Sequence, residues 1–302
     1  MALIARSRTS AIARTLYTHL MNDTTSRRDA LCALGALLAT PLLPACSDTA
    51  MVPDAGRDMD GGTDASANED AGTPTPDASG DAGLAWASGG TVSMTAAASY
   101  PNPFASPGAS PCALTLPTTL GPCFYTSPVR RDVSEGYPGL PIRLVFRILD
   151  AACNPVEGAR LDIWHTGYTG LYSGGPIDFC TGADADARAH NYFRGSQVSA
   201  ADGTLSFDTC FPGAYSGRAM HIHLQVFPVG APTASIISQI FFPQPLIDGI
   251  FASHPDYVAQ RRPDTPNAAD GIYRSVGPAA IVEYERMSDG AMLAWKEIIL
   301  AA

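Results

Sequence analysis

The chain contains seven cysteines but no Cys-x-x-Cys pair, which argues against a cysteine-walled zinc site. Basic residues are few: 19 Lys and Arg stand against 29 Asp and Glu, for a formal net charge of −10. That balance disfavours nucleic acid as a partner. No apolar run reaches the roughly 18–20 residues that a membrane-spanning helix needs. The best candidate, Ala30 to Leu43, is too short and contains Pro41. There are no internal repeats, so a repeat solenoid is excluded.

The N-terminal third reads as export and tether. Ser26-Arg27-Arg28-Asp29 precedes the apolar run, and twin arginines before such a run mark a Tat-type signal. We place the signal over 1–45, with Met21 a second candidate start. Leu43-Pro44-Ala45-Cys46 resembles a lipobox, so Cys46 is expected to be lipidated and to anchor the protein at a membrane. The expected location is periplasmic or cell-surface; cleavage to a soluble secreted protein is the alternative. Residues 46–92 are expected to be a disordered linker, because Asp, Ala, Gly, Thr, Ser and Pro bury too little apolar area to offset ordering entropy. From 47 to 90 it carries nine acids against one base, Arg57, so most of the net charge lies outside the folded part.

Cys32 lies in the signal. Cys112, Cys123, Cys153, Cys180 and Cys210 fall in the domain expected over 93–302. Export predicts one or two disulfides and one free thiol; spacing does not assign the pairs. The domain reads as all-β, an antiparallel β-sandwich with long loops and a few short helices. Ile142, Leu144, Phe146 and Ile148 alternate along one strand, and further strands are expected over 159–164, 204–211, 220–227 and 235–242. Residues 245–275 read as loops with short helices. The stretch 286–300 fits a helix, through Met287, Ala291, Ala294, Trp295 and Ile298, or equally a strand after Gly290.

The strand Met220-His221-Ile222-His223-Leu224-Gln225-Val226 carries the chemistry. Successive strand residues face opposite ways, so Met220, Ile222, Leu224 and Val226 form a core face. His221 and His223 share the other face, spaced to reach one metal ion. With Tyr172 and Tyr215 they form a donor set suited to a hard ion: phenolate favours Fe(III), and imidazole tolerates it. Arg218, three residues before His221, emerges close to the metal and can stabilise negative charge. Taken singly, each tyrosine is an ordinary packing residue, Arg218 a solvated charge, and Gln239 a structural strand residue. His165 is the best candidate for a surplus imidazole, while His190 and His254 read as loop residues. Two tyrosines disfavour a zinc or copper sandwich protein.

The motifs Gly121-Pro122-Cys123-Phe124-Tyr125, Arg131-Asp132-Val133-Ser134-Glu135-Gly136, Asp162-Ile163-Trp164-His165, Gly170-Leu171-Tyr172, Phe193-Arg194-Gly195 and Pro212-Gly213-Ala214-Tyr215 follow in order, ending in Gly217-Arg218-Ala219-Met220-His221-Ile222-His223. Together they resemble the intradiol ring-cleavage dioxygenases, the family of catechol 1,2- and protocatechuate 3,4-dioxygenase. The resemblance implies a mononuclear non-haem Fe(III) held by Tyr172, Tyr215, His221 and His223, with Tyr215 and His223 axial. It implies a catechol-type substrate and O2, Tyr215 as the tyrosinate that substrate displaces, and a cis,cis-muconate-type product. Arg218 would stabilise charge on the oxidised ring, and Gln239 would orient an oxygen. Arg130 or Arg131 is placed to meet a substrate carboxylate. The competing reading is a non-catalytic exported β-sandwich lipoprotein acting as a binding module.

Overall fold

The computed structural model describes residues 85–105 and 112–301. The expected signal, Cys46 and most of the linker lie outside the described residues. Residues 85–92, assigned above to the linker, instead pack on the domain. Ala87 N–H donates to Gly290 O, Gly90 N–H donates to Gly139 O, and the Arg286 guanidinium sits 4.1 Å over the Trp86 ring. Trp86 supplies the apolar area that the acidic stretch before it lacks.

Eight strands form two four-stranded sheets. Strands β1 (Pro141–Leu149), β4 (Thr204–Cys210), β7 (Glu283–Arg286) and β8 (Met292–Ile299) make the first, in the order β4-β1-β8-β7. The second contains β2 (Arg160–Trp164), β3 (Arg194–Val198), β5 (His221–Phe227) and β6 (Ile236–Phe241), in the order β3-β2-β5-β6. The short helices are α1 (Asp178–Thr181), α2 (Ala185–Ala189), α3 (Gln244–Ser253) and α4 (Gly271–Val276). The all-β sandwich is as expected, with one refinement: β1 and β8 pair in parallel, although the other strand pairings are antiparallel. The chain crosses from β6 to the other sheet, forms the β7–β8 hairpin, and inserts β8 between β7 and β1.

The alternation along β1 decides which face is core. Ile142, Leu144, Phe146 and Ile148 are fully buried and meet Leu161, Ile163, Ile222, Leu224 and Val226 of the facing sheet. Each such side chain is worth roughly 1.5–3 kcal/mol. Every residue of β5 is buried, so this strand is covered on both faces. Its outer face, with that of Trp164, Arg194 and Gln239, is roofed by loops rather than by the facing sheet. The stretch 286–300 is the strand alternative: both ends of β8 are buried on consecutive residues, with Trp295, Lys296 and Glu297 half-buried between them, so no period-2 signal excludes a helix.

Candidate metal centre

The four expected donors converge on that outer face. The site therefore does not lie between the sheets, as a sandwich interior would suggest, but beneath three loops. His221 and His223 are the first and third residues of β5; Tyr172 follows β2, and Tyr215 follows β4. The loops carrying the tyrosines touch at Gly170, whose φ is +85° and where a Cβ would lie 2.1 Å from Ala214 O. No side chain is tolerated there. Gly121, in the roofing loop, approaches His223 so closely that a Cβ would lie 3.0 Å from its Cε1.

His221 Nε2 lies 3.2 Å from His223 Nε2, 3.2 Å from Tyr215 Oη and 3.4 Å from Tyr172 Oη. The two phenol oxygens are 3.4 Å apart. Atoms bound to one ion at roughly 2 Å stand about 2.8 Å from each other at a right angle and about 3.3 Å at a tetrahedral one, so this packing is close to that of a shared ion. Among the described residues no three His, Cys, Asp or Glu side chains gather into such a group. The donor set is two imidazoles and two phenols.

Hydrogen bonding orients the imidazoles. His221 Nδ1 is 2.6 Å from Ala219 O; a carbonyl only accepts, so Nδ1 carries the proton and Nε2 turns its lone pair inward. Trp164 stacks on His223 at 4.9 Å and 13°, fixing its ring plane. His223 Nδ1 is buried without a hydrogen-bond partner. Burial, with Arg218 adding to it, pushes His221 down to about 3. Burial and the neighbouring His221 hold His223 well below the usual imidazole range. Both rings are neutral at pH 7, the form that ligates metal. Burial raises Tyr172 well above the usual phenol value, and Tyr215 moves the same way. A bound cation would favour the phenolate forms of both tyrosines instead.

Arg218 is clamped from two sides. Its Nε donates to Asp270 Oδ2 at 2.8 Å and its Nη2 to Gln239 Oε1 at 2.5 Å. Asp270 is almost fully buried. Its Oδ2 also accepts from Ala219 N–H, and its Oδ1 accepts from Ile272 and Tyr273 N–H at the start of α4. Burial alone would raise this carboxyl, but the bonds from Arg218, Ala219 and Tyr273 outweigh it and hold the group below the usual carboxylate range. Asp-Gly before a helix is a readable cap; that the same carboxylate fixes Arg218 shows only in three dimensions.

Other candidates lie apart. His165 bridges Thr209 Oγ1 and Thr166 O and stacks on Phe193, and burial lowers it to about 4. It is a core histidine. His254, read above as a loop residue, is buried, and its Nε2 lies 2.9 Å from Ala87 O. Arg130 engages Glu135 and the carbonyls of Asn191 and Arg194, so it is not available for a substrate carboxylate; Arg131 is half-exposed, 3.5 Å from Asp208. A cavity of about 580 Å³ between β6 and β8 touches Gln239 but none of the four donors.

Residues 123–266 match a family model described as Dioxygenase. An intradiol ring-cleavage dioxygenase from Tetranychus urticae is 26% identical in sequence, covers 63% of this chain and 95% of its own, and superposes with a TM-score of 0.55. The domain belongs to the intradiol ring-cleavage dioxygenases. A second dioxygenase structure matches this intradiol domain at 27% identity over the same shares, with a TM-score of 0.56. Hydroxyquinol 1,2-dioxygenase from Pseudomonas putida DLL-E4 matches at 20% identity, covering 63% of this chain and 67% of its own, with a TM-score of 0.45. No curated protein matches the sequence significantly. Family and fold together support a ring-cleaving dioxygenase activity for the domain. The family match ends at Pro266, four residues before Asp270.

Proposed function

We propose that the domain holds one Fe(III) through Tyr172, Tyr215, His221 and His223. In this reading it cleaves a catechol-type ring between the two hydroxylated carbons with O2, giving a cis,cis-muconate-type product. The observation that carries it is the convergence of two neutral imidazole nitrogens and two phenol oxygens within 3.2–3.4 Å. When bound, the iron supplies Lewis acidity, a template for both substrate oxygens and a path for electrons.

The protein's part follows from burial and charge. Tyr172 is 3% exposed, whereas Tyr215 is only partly buried. Tyr215 sits on a loop held outside by Asp264, which accepts from Ser216 Oγ and Gly217 N–H. It is therefore the phenolate able to withdraw and take up a substrate proton, while Tyr172 stays in place. Arg218, held by Asp270 and Gln239, presents a fixed cation where negative charge develops on the ring. Arg130 is engaged by Glu135 and two carbonyls, so it is not the residue that would meet a ring carboxylate.

Three measurements test this. First, the purified protein reconstituted with Fe(III) should show a visible tyrosinate-to-iron band that shifts on anaerobic addition of catechol. A protein still colourless after reconstitution would leave the non-catalytic binding module. Second, Tyr215→Phe should move that band and lower turnover while retaining iron; unchanged colour and turnover would remove Tyr215 from the ligand set. Third, Asp270→Asn keeps an oxygen for the cap of α4 but replaces the carboxylate facing Arg218. Steady-state kcat/KM should fall roughly 10-fold or more at unchanged iron content, and parental kinetics would make Asp270 a helix cap only.

We also propose export through the 1–45 signal, with anchoring at Cys46. Support comes from the Cys112–Cys153 and Cys123–Cys180 disulfides, which suit an oxidising compartment.

A further inference from the structure

The proposed chemistry makes no use of the Cys123–Cys180 disulfide, yet this bond closes a ring of contacts through Tyr172. Tyr172 N–H donates to Cys180 O at 2.9 Å. Cys180 is bonded to Cys123. The Cys123 carbonyl accepts from Arg194 Nη2 at 2.7 Å, and Arg194 Nε donates to Ser173 O at 2.8 Å. The Tyr172–Ser173 peptide bond completes the circuit. Arg194 is fully buried and makes no ion pair among the described residues; the two carbonyls take its Nε and Nη2, while Nη1 has no hydrogen-bond partner.

On the Tyr172 side, Ser173 Oγ also donates to Tyr192 O and Gly174 N–H to Ala187 O; the Cys180 side is less supported. Cys180 belongs to α1, four residues long, and a helix that short does not hold itself together. Cys123 sits in the roofing loop beside His223. Cys123, Cys180, Tyr172 and Trp164 form one small apolar cluster, separate from the main core, with Tyr215 packed against it. The bond spans 57 residues of sequence and joins the roof over His223 to the loop that carries Tyr172. By contrast, Cys112–Cys153 lies on the turn after β1, with Cys153 exposed. Its residues belong to none of the apolar clusters.

We propose that the Cys123–Cys180 crosslink positions Tyr172 as a ligand, so that the centre binds metal at full affinity only when these two thiols have been oxidised. This rests on the ligand reading given above. In forming the crosslink, the two thiols release two protons and pass two electrons to a disulfide oxidant by thiol–disulfide exchange. A dithiol such as dithiothreitol reverses the step and is itself oxidised to its cyclic disulfide. Metal capture is thereby tied to arrival in an oxidising compartment.

The test uses full-length protein with Cys112→Ser and Cys153→Ser, which leaves Cys123–Cys180 as the one disulfide among the described residues. Backbone hydrogen exchange and Fe(III) affinity are measured with Cys123–Cys180 oxidised and after reduction by dithiothreitol, the reductant being removed under argon before iron is added. In metal-free protein, reduction should raise exchange at the Tyr172 amide at least roughly tenfold and leave the amides of β5 unchanged. Fe(III) affinity should fall roughly 10–100-fold. The Cys123→Ser, Cys180→Ser double variant should reproduce both effects without reductant. Unchanged Tyr172 exchange with unchanged iron affinity overturns the proposal. So does global unfolding of both the reduced protein and the double variant, because the crosslink would then hold the whole sandwich rather than one ligand. If the oxidised parent binds no Fe(III), the ligand reading fails instead; the Tyr172 exchange, which needs no metal, still decides whether the crosslink positions that side chain.

Discussion

Protein carrying His221→Ala or His223→Ala is expected to purify colourless and without iron, with turnover reduced on the order of 10³-fold or more. Both imidazoles are buried, neutral and aimed at one point, and removing either leaves three donors, two of them phenols that burial keeps protonated. The fold should survive, because the ladder of β5 with β2 and β6 is made by backbone groups. His165→Gln is the control: an equally buried histidine, bonded to Thr209 rather than to the cluster, whose loss should leave iron in place. Metal analysis and the visible spectrum check the set. Normal iron content in the His221 or His223 variant would move the centre elsewhere.

A second large effect is expected in acid. In the metal-free fold His165 titrates at about 4, His221 at about 3 and His223 well below the usual value, burial being the first cause in each case. In the unfolded chain all three titrate near 6.5. Between those limits the unfolded state binds protons that the native state refuses, so stability is complete above about pH 6.5 and falls as pH drops. Each histidine contributes a slope of up to about 1.4 kcal/mol per pH unit, so three together approach about 4. Exposed His190 shifts upward and only trims this slope. Urea unfolding of apo-protein at pH 7.5 and 5.5 measures it. Equal stability at both values would mean that the three rings are not held neutral and buried. The buried phenols act at the other end: Tyr172 stays protonated in the fold, so its contribution is present below about pH 10 and is lost as pH rises further.

The fold could be read where one face of a strand is buried and the other is not. Ile142, Leu144, Phe146 and Ile148 announced β1 because their neighbours Arg143, Val145 and Arg147 are only partly buried. Along β5, buried on both faces, it was the alternation of apolar and imidazole side chains that separated Ile222 and Leu224 from His221 and His223. It failed for β8, whose burial does not alternate and which left helix and strand as equal alternatives. It was also silent on the parallel pairing of β8 with β1, since register depends on where the chain returns after crossing between sheets.

The four donors, Arg218 and Gln239 were all named from sequence, because a short strand fixes which side chains share a face and motif order supplied the rest. Their partners were not. Asp270 reads as a helix cap and Arg194 as one member of a motif; each acquires its second role only when distant loops meet. Five domain cysteines implied a leftover thiol, yet only the folded loops decided that Cys112 joins Cys153, Cys123 joins Cys180, and Cys210 stays free and buried. By itself, then, the sequence determined an all-β domain with a two-histidine, two-tyrosine set, because local periodicity and residue chemistry are properties of the chain. Tertiary structure alone decided that the set lies on the outer face of one sheet, under a roof tied down by Cys123–Cys180, with Arg218 clamped by Asp270. Cys123 and Cys180 are 57 positions apart and Arg218 and Asp270 52, and no local pattern encodes which of them will meet.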